Sequence, residues 1–302
     1  MSLRISTSFV VALMTFGTVF PCGKSRFARA ADSDTDDQYV QTINGFVEGR
    51  QKLKRGMTRF TCKYRYVIGS SGEKRTVHIR GLYVFDFPER LLRIDAHHRN
   101  TDEFGVELKG KFEGYQFADQ EDQSLVKLAG DAKPRRLINS KELPDSVSRF
   151  DIRVLGVSHA VGWDRVTLND MAENFERFQD GFTEVQKEDN QIRVTLIAKK
   201  DGQPGFRRVI WFREDHDYCP EKLEVSLPKR IAGKPSLVNG EVEWNAPSQT
   251  QLMEVIKFKD QWVPKKVFIE DGTDKREFEF QWMSLNEALD PKAFEFDFDP
   301  KE

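Results

Sequence analysis

Apolar and polar residues alternate along much of the chain, and the clearest examples lie near its C-terminus. Phe278, Phe280 and Trp282 are separated by single polar residues, and the segment 294–298 places its phenylalanines between acids in the same way. Successive side chains of a β-strand point to opposite faces, so each segment predicts a strand with one apolar face and one polar face. Such strands are typical of antiparallel sheets with one face in a core.

The same pattern predicts strands over most of the chain. In the segment 58–68, Phe60, Cys62, Tyr64 and Tyr66 share one face, and charged residues share the other. Most of the predicted strands are separated by short turn sequences, so strands that follow one another in the chain are expected to be neighbours in the sheet. The further predicted strands are 75–87, 91–96, 150–155, 182–188, 191–198, 206–213, 221–227, 251–259, 262–270, 273–282 and 294–298.

Two segments carry apolar residues at the spacing of an amphipathic helix instead. In the first, 38–53, Val40, Ile43 and Val47 lie on one side, and the second is 167–178. We therefore expect a mostly antiparallel α+β fold. In it, two or more helices cover the apolar face of one large curled sheet that forms an unclosed half-barrel.

The first 30 residues have the pattern of a cleavable export signal. Arg4 precedes an apolar run of 12 residues that ends at Phe20, and a small-x-small cleavage site ends at Ala30. The run is shorter than the about 20 residues that span a bilayer. We expect cleavage after Ala30 and a periplasmic or secreted protein. A lipid anchor on Cys22 is the alternative, and the bulky residues that precede this cysteine fit a lipobox poorly.

The region 31–302 contains no second apolar run of membrane length, no repeat and no low-complexity linker. It is therefore predicted to be a single domain, with a longer and less regular insertion around 100–180. Removing the signal leaves 43 basic residues against 49 acidic ones. This balance argues against nucleic acid as a partner, because phosphate backbones require a positive surface.

Two cysteines, Cys62 and Cys219, remain after cleavage. Exported proteins occupy oxidising compartments, so a disulfide between them is one possibility, and two buried free thiols are the other.

Few residues suggest chemistry. The segment Gly156-Val157-Ser158-His159-Ala160 resembles a nucleophile elbow, but alanine replaces its second glycine, so a hydrolase using Ser158 is a minor alternative. Asp95 and His97 are a weak metal candidate, because none of the five histidines has the spacing of a metal motif. We therefore expect no catalytic residue, no metal and no cofactor.

Four segments resemble the LolA/LolB/RseB-like lipoprotein-carrier superfamily of the bacterial envelope. The strongest is a W-x-P strand followed by alternating aromatic residues, an asparagine, Leu-Asp and a final F-x-F. The segments are 38–68, the stretch from Gly81 through Pro88 to Asp95, the step from Asp217 to Glu224, and the stretch from Trp262 to Phe298.

The resemblance implies an unclosed half-barrel whose concave apolar face holds a lipid, a lipoprotein acyl chain or another apolar ligand, with helices as a lid. The alternating rings agree with such a face. A ligand-free module that binds another envelope protein is the alternative function. The residues expected to line the concave face are Phe60, Tyr64, Phe278, Phe280, Trp282 and Phe296.

Overall fold

The computed structural model describes residues 33–69, 71–108, 114–120, 123–128, 131–136, 151–157, 168, 182–200 and 202–296. Helix α1 (Ser33–Gln51) is followed by a long series of strands. The strands of the first half are β1 (Arg55–Ile68), β2 (Glu73–Asp86), β3 (Leu91–Asp102), β4 (Glu107–Leu108), β5 (Gly114–Gln120), β6 (Gln123–Leu128) and β7 (Arg135–Arg136). Those of the second half are β8 (Phe182–Glu188), β9 (Gln191–Lys200), β10 (Gln203–Arg213), β11 (Cys219–Ser226), β12 (Arg230–Ile231), β13 (Lys234–Pro235), β14 (Leu237–Val238), β15 (Glu241–Val242), β16 (Gln249–Phe258), β17 (Gln261–Asp271) and β18 (Asp274–Leu285).

Fourteen of these strands form one sheet in the order β7-β6-β5-β3-β2-β1-β18-β17-β16-β11-β10-β9-β8, with β4 beside β3. Every pairing in it is antiparallel. The first strand β1 pairs with the last strand β18, so the first and last strands of the described chain are neighbours in the middle of the sheet. Within the described residues β7 and β8 are the two edges and do not pair, which leaves the sheet unclosed.

Helix α1 begins and ends within a few residues of the predicted helix, and it packs on β9, β10 and β11. Its Gly45 and Gly49 allow a close approach, because a Cβ atom at Gly45 would lie 2.5 Å from the ring of Tyr218. A Cβ atom at Gly49 would lie 2.5 Å from the carbonyl oxygen of Asp217. These glycines therefore let the turn before β11 lie against the helix. The helix and these strands share a set of buried residues, called here the α1 cluster: Tyr39, Ile43, Phe46, Val154, Val157, Leu168, Ile192, Val194, Leu196, Ile210, Phe212, Leu223 and Val225.

A second set of buried residues, the β1–β18 cluster, fills the same face of the sheet on the strands around β1 and β18. We call this face the inner face and the opposite one the outer face. The cluster consists of Leu53, Phe60, Cys62, Val77, Ile79, Tyr83, Phe85, Ile94, Ala96, Phe117, Val126, Ile152, Leu155, Cys219, Met253, Val263, Val267, Ile269, Phe278, Phe280, Trp282 and Leu285.

Nearly all the strands predicted from alternation are confirmed, with ends shifted by a few residues, and 91–96 is the start of the longer β3. The prediction of a strand over 150–155 is wrong for its described part, because Ile152–Val154 is a 3-10 helix. Asp151 caps it by accepting a hydrogen bond from the backbone N–H of Arg153 at 2.9 Å. A capping aspartate directly before a short apolar run favours such a turn over an extended strand.

The prediction of a strand over 294–298 is also wrong for its described part, because Pro291–Phe294 is a 3-10 helix. Asp290 accepts a hydrogen bond from the backbone N–H of Lys292 at 2.9 Å, and proline occupies the first helical position. Aspartate followed by proline is a helix start, and here it overrides the alternation that follows. Phe294 packs on the outer face in a third small cluster, with Met57, Leu82, Val84 and Ala293.

Of the predicted helix 167–178, only Leu168 is described, and it is helical and buried. Outside the described residues lie the remainder of that helix, the signal segment 1–30 and most of the part of the insertion 100–180 that follows β7. Within the described part of the chain, no helix is long and apolar enough to cross a membrane.

Candidate functional site

The strand register places the predicted aromatic residues side by side on the inner face. Phe60 is the partner of Phe280, and Cys62 is the partner of Phe278. The rings of Phe60 and Phe280 are 6.5 Å apart, and those of Phe278 and Phe280 are 6.2 Å apart. Trp282 continues the row, and its Nε1 donates to the carbonyl oxygen of Pro264 at 2.8 Å. We call Phe60, Phe278, Phe280 and Trp282 the aromatic wall.

All four wall residues are buried, with exposed fractions between 2% and 7%. Their alternating neighbours, such as Thr61 and Glu279, are exposed on the outer face. The inner face of β1 and β18 is therefore apolar in this structure, as the sequence pattern predicts.

Tyr64 lies beside the wall, near the ends of β1 and β18, and is only half-buried. Its ring stacks on Tyr66 at 5.0 Å and lies 4.7 Å from the guanidinium carbon of Arg276. Its hydroxyl donates to Oδ2 of Asp274 at 2.9 Å. Burial raises the pKa of Tyr64 to about 12. This end of the inner face, which we call the polar mouth, therefore combines aromatic surface with one basic and one acidic group.

Phe296 is not brought to the aromatic wall. It follows the 3-10 helix at Pro291–Phe294, is half-buried, and does not belong to the β1–β18 cluster. The other five residues predicted to line the site do lie on the inner face.

A short segment, 151–157, covers part of the β1–β18 cluster. Its Ile152 and Leu155 are buried in that cluster, whereas Val154 and Val157 belong to the α1 cluster. The backbone N–H of Ile152 donates to the hydroxyl oxygen of Tyr83 at 3.3 Å. The segment therefore lies between the two apolar clusters.

A second contact holds the same segment to β2 and its turn. The guanidinium carbon of Arg153 lies 3.5 Å from the ring centroid of Phe87, a cation–π distance. Arg153 is also held by Asp151 in an ion pair of 2.7 Å. Helix α1 packs mainly on β9, β10 and β11. Leu53, which follows the end of the helix, belongs to the β1–β18 cluster.

Cys62 and Cys219 are both buried and free, so the alternative of two free thiols describes this structure. Burial raises the pKa of Cys62 to about 12. Burial also raises the pKa of Cys219, whose sulfur accepts a hydrogen bond from the Nη2 group of Arg50. Neither thiol therefore has the lowered pKa of a reactive cysteine.

The residues considered for a metal site or for catalysis do not form a site within the described part of the chain. Asp95 is engaged by Arg93, whose Nε donates to Oδ1 at 2.9 Å, and the described residues contain no group of three potential metal ligands. Ser158 and His159 lie outside the described residues.

One feature on the outer face was missed by reasoning from the sequence. A groove of about 920 Å³ crosses β3, β2, β1, β18 and β17, and its sides carry basic and acidic residues. The alternation of charge along β1 was visible in the sequence. The alignment of these charges with those of β2 and β3 depends on the strand register, which the sequence pattern does not specify.

Comparison with solved structures finds similar proteins, including the following three. A LolA superfamily protein from Nitrosomonas europaea is 12% identical, over 86% of this chain and 98% of that one, with a TM-score of 0.42. A DUF1329 family protein from Desulfovibrio piger is 11% identical, over 85% and 97% of the two chains, with a TM-score of 0.41. A β-barrel-like protein of the domain of unknown function DUF1849 from Brucella abortus is 8% identical, over 78% and 99%, with a TM-score of 0.27.

No family model matches the chain, and no curated protein sequence matches it. The first of the three structures belongs to the superfamily that the sequence segments resemble. At these identities and scores the likenesses carry no ligand, partner or activity over to this chain, and the description of the fold rests on the strand order and register.

Proposed function

We propose that this protein is a non-catalytic binding protein of the bacterial cell envelope that holds a lipid or acyl chain against the aromatic wall. The observation that carries the proposal is the division of the interior into two apolar clusters. Helix α1 packs on one of them, whereas in the described chain Leu53 and the segment 151–157 are what cover the other from outside the sheet. An apolar ligand that displaces this short segment removes Val154 and Val157 from the α1 cluster but leaves the packing of α1 on β9, β10 and β11 in place.

The energetics favour a long chain. Displacing the segment exposes its four buried apolar side chains, Ile152, Val154, Leu155 and Val157, and each buried side chain of this size contributes about 1.5–3 kcal/mol. Each buried methylene group of the ligand returns about 0.8 kcal/mol, so roughly eight to fifteen methylene groups offset the displacement. Chains longer than this bind with net gain, and shorter ones do not.

The polar mouth gives the ligand an orientation. With Tyr64, Arg276 and Asp274 at one end of the inner face, a chain on the wall places its polar end beside groups that donate and accept hydrogen bonds. An amphiphile with one polar end therefore fits this surface better than a hydrocarbon does.

Native mass spectrometry tests the proposal with two matched variants. Phe280→Leu changes the wall and Phe212→Leu changes the α1 cluster, and both residues are buried, at 4% and 0% exposure. With delipidated protein and a fatty acid of sixteen carbons, we expect one bound chain in the wild type and in Phe212→Leu, and several-fold weaker binding in Phe280→Leu. A wild-type protein that stays unliganded in excess fatty acid contradicts the proposal.

A ligand-free module that binds another envelope protein is the second candidate, and an exposed segment favours it. Strands β12–β15 form two small hairpins outside the main sheet, and these hairpins expose Ile231, Leu237 and Val238 by 54% to 64%. Exposed apolar residues at one place are a feature of protein contacts. Unliganded protein together with a crosslinked partner that is lost in Ile231→Ser would favour this function.

The export signal at 1–30 is part of the proposal. N-terminal sequencing of the mature protein tests it, and Ala31 is the expected first residue.

A further inference from the structure

The outer-face groove is formed by two rows of side chains that run across the strands. In one row Lys63 of β1, His78 of β2 and Arg99 of β3 are direct cross-strand partners. In the other row, Arg80 of β2 and His97 of β3 are partners. All five side chains point away from the apolar interior, and the backbones between the rows form the floor of the groove.

Within the described residues Lys63 and Arg80 form no ion pair within 4 Å, and Glu277 of β18 is the cross-strand partner of Lys63. Arg99 is paired with the exposed Glu107 at 3.3 Å. The acids of the groove are confined to β18, where Glu277 is held by Arg65 at 2.7 Å and Glu279 lies 3.7 Å from Lys266. The β1–β3 end of the groove is therefore positive, in a chain whose formal net charge is −2.

Lys63 and Arg80, and likewise Arg80 and Arg99, are diagonal neighbours across strands, within reach of one another's long side chains, so their like charges repel. The pKa of His78 is lowered, first by burial and then by the positive charges of Lys63, Arg99 and Arg80. The arrangement costs stability in the free protein, and an anion that lies between the rows removes that cost.

We infer that the β1–β3 end of this groove binds a phosphate-bearing ligand through Lys63, Arg80 and Arg99, with His78 and His97 as further donors. Arginine side chains offer planar pairs of N–H groups that match phosphate oxygens, and lysine acts as a compact charge beside them. Three neighbouring strands span about 10 Å, since strands lie about 4.8 Å apart. This length fits two linked phosphate groups or a phosphorylated headgroup.

The site lies on the face opposite the aromatic wall, so it does not depend on the proposed function. Its ligand has two possible sources with the same chemistry, a soluble phosphate compound or the phosphate headgroup of a lipid at a membrane surface. The two sources are separated by the probes of the experiment below.

Isothermal titration with pyrophosphate tests the inference on the double variant Lys63→Gln/Arg80→Gln. The control is Arg230→Gln/Lys234→Gln, which removes the same charge from the exposed hairpins β12–β13. We expect at least tenfold weaker binding in the groove variant and wild-type binding in the control. Equal weakening in both variants would show non-specific attraction and would overturn the inference.

The pH dependence gives a second readout. Because the pKa of His78 is lowered in the free protein, the bound anion raises it again, and binding takes up a proton as the pH falls. Compared with His78→Gln, which experiences the same protonation of pyrophosphate, the wild type is expected to gain affinity from pH 8 to pH 5.5. The groups that face His78 are Lys63, Arg80 and Arg99, which keep their charge over this range.

Vesicles identify the source. The site would be assigned to a lipid headgroup if the protein sediments with phosphatidylglycerol vesicles but not with phosphatidylcholine vesicles, and if the groove variant no longer sediments with either. Binding of pyrophosphate alone would assign it to a soluble ligand, and either result supports the site. Failure to bind both pyrophosphate and phosphatidylglycerol overturns it, and the thermal unfolding of all variants confirms that they are folded.

Discussion

At the scale of single residues, the charge of the buried Arg93 is balanced by a near neighbour. Arg93 is fully buried in β3, and Asp95, two residues along on the same face, engages its guanidinium group through Nε at 2.9 Å and through Nη2. Nη1 donates to the carbonyl oxygen of Ala293 at 3.1 Å, which attaches the C-terminal 3-10 helix to the outer face. A buried arginine is tolerated in such a setting because its donors have partners.

Removing one partner of this pair is expected to be costly. Asp95→Ala leaves the Arg93 guanidinium buried without its counter-charge, and we expect a loss of about 3–5 kcal/mol in the free energy of unfolding. The control Glu279→Ala removes a carboxylate from an exposed ion pair and is expected to cost less than about 1 kcal/mol. Urea unfolding measures both, and equal small effects would contradict the role of the pair.

His98 gives the protein a sensitivity to acid. Burial and, to a smaller extent, the neighbouring His97 lower the pKa of His98 to about 4, whereas the unfolded chain has an ordinary histidine pKa. Between these two values the unfolded state binds more protons, so stability falls as the pH falls from about 6.5 to 4. In His98→Leu we expect a flatter dependence of the unfolding free energy on pH over this window. An unchanged slope would show that other groups determine it.

At the scale of elements, alternation located the strands because each has one face in the core and the other in solvent. Phe60, Cys62 and Tyr64 lie on one face of β1 as expected, and the charged residues between them lie on the other. The alternation failed at 294–298 because a local signal, Asp290 followed by proline, begins a 3-10 helix there. It failed at 150–155 for a similar reason, the capping of Ile152–Val154 by Asp151.

The C-terminal 3-10 helix separates two phenylalanines that a strand would have placed on one face. Phe294 is buried against Met57 and Val84, whereas Phe296 is half-buried and outside that cluster. We expect Phe294→Ala to cost about 3 kcal/mol of unfolding free energy, and Phe296→Ala to cost under about 1 kcal/mol. Thermal or urea unfolding compares them, and equal losses would favour the strand instead.

At the scale of the whole molecule, one unclosed antiparallel sheet supports two apolar clusters on its inner face and a charged groove on its outer face. The sequence predicted the sheet, its apolar face and the position of all four wall residues on that face. It did not predict which segment covers part of the β1–β18 cluster, because Ile152 and Leu155 join that cluster from a position distant in the chain. It also did not predict the groove, because the two rows of lysine, arginine and histidine side chains form only through the register of three strands.

The central claim, an apolar chain against the aromatic wall, is tested most directly by tryptophan quenching. Bromine atoms in the middle of a fatty acid quench only indoles that they contact, and Trp282 is the tryptophan of the wall. We expect quenching in the wild type and loss of most of it in Trp282→Phe. Trp211 packs beside Arg193 and Lys222, so the control variant Trp211→Phe is expected to be quenched like the wild type. Quenching that persists unchanged in Trp282→Phe, or that is absent from the wild type, would contradict the account.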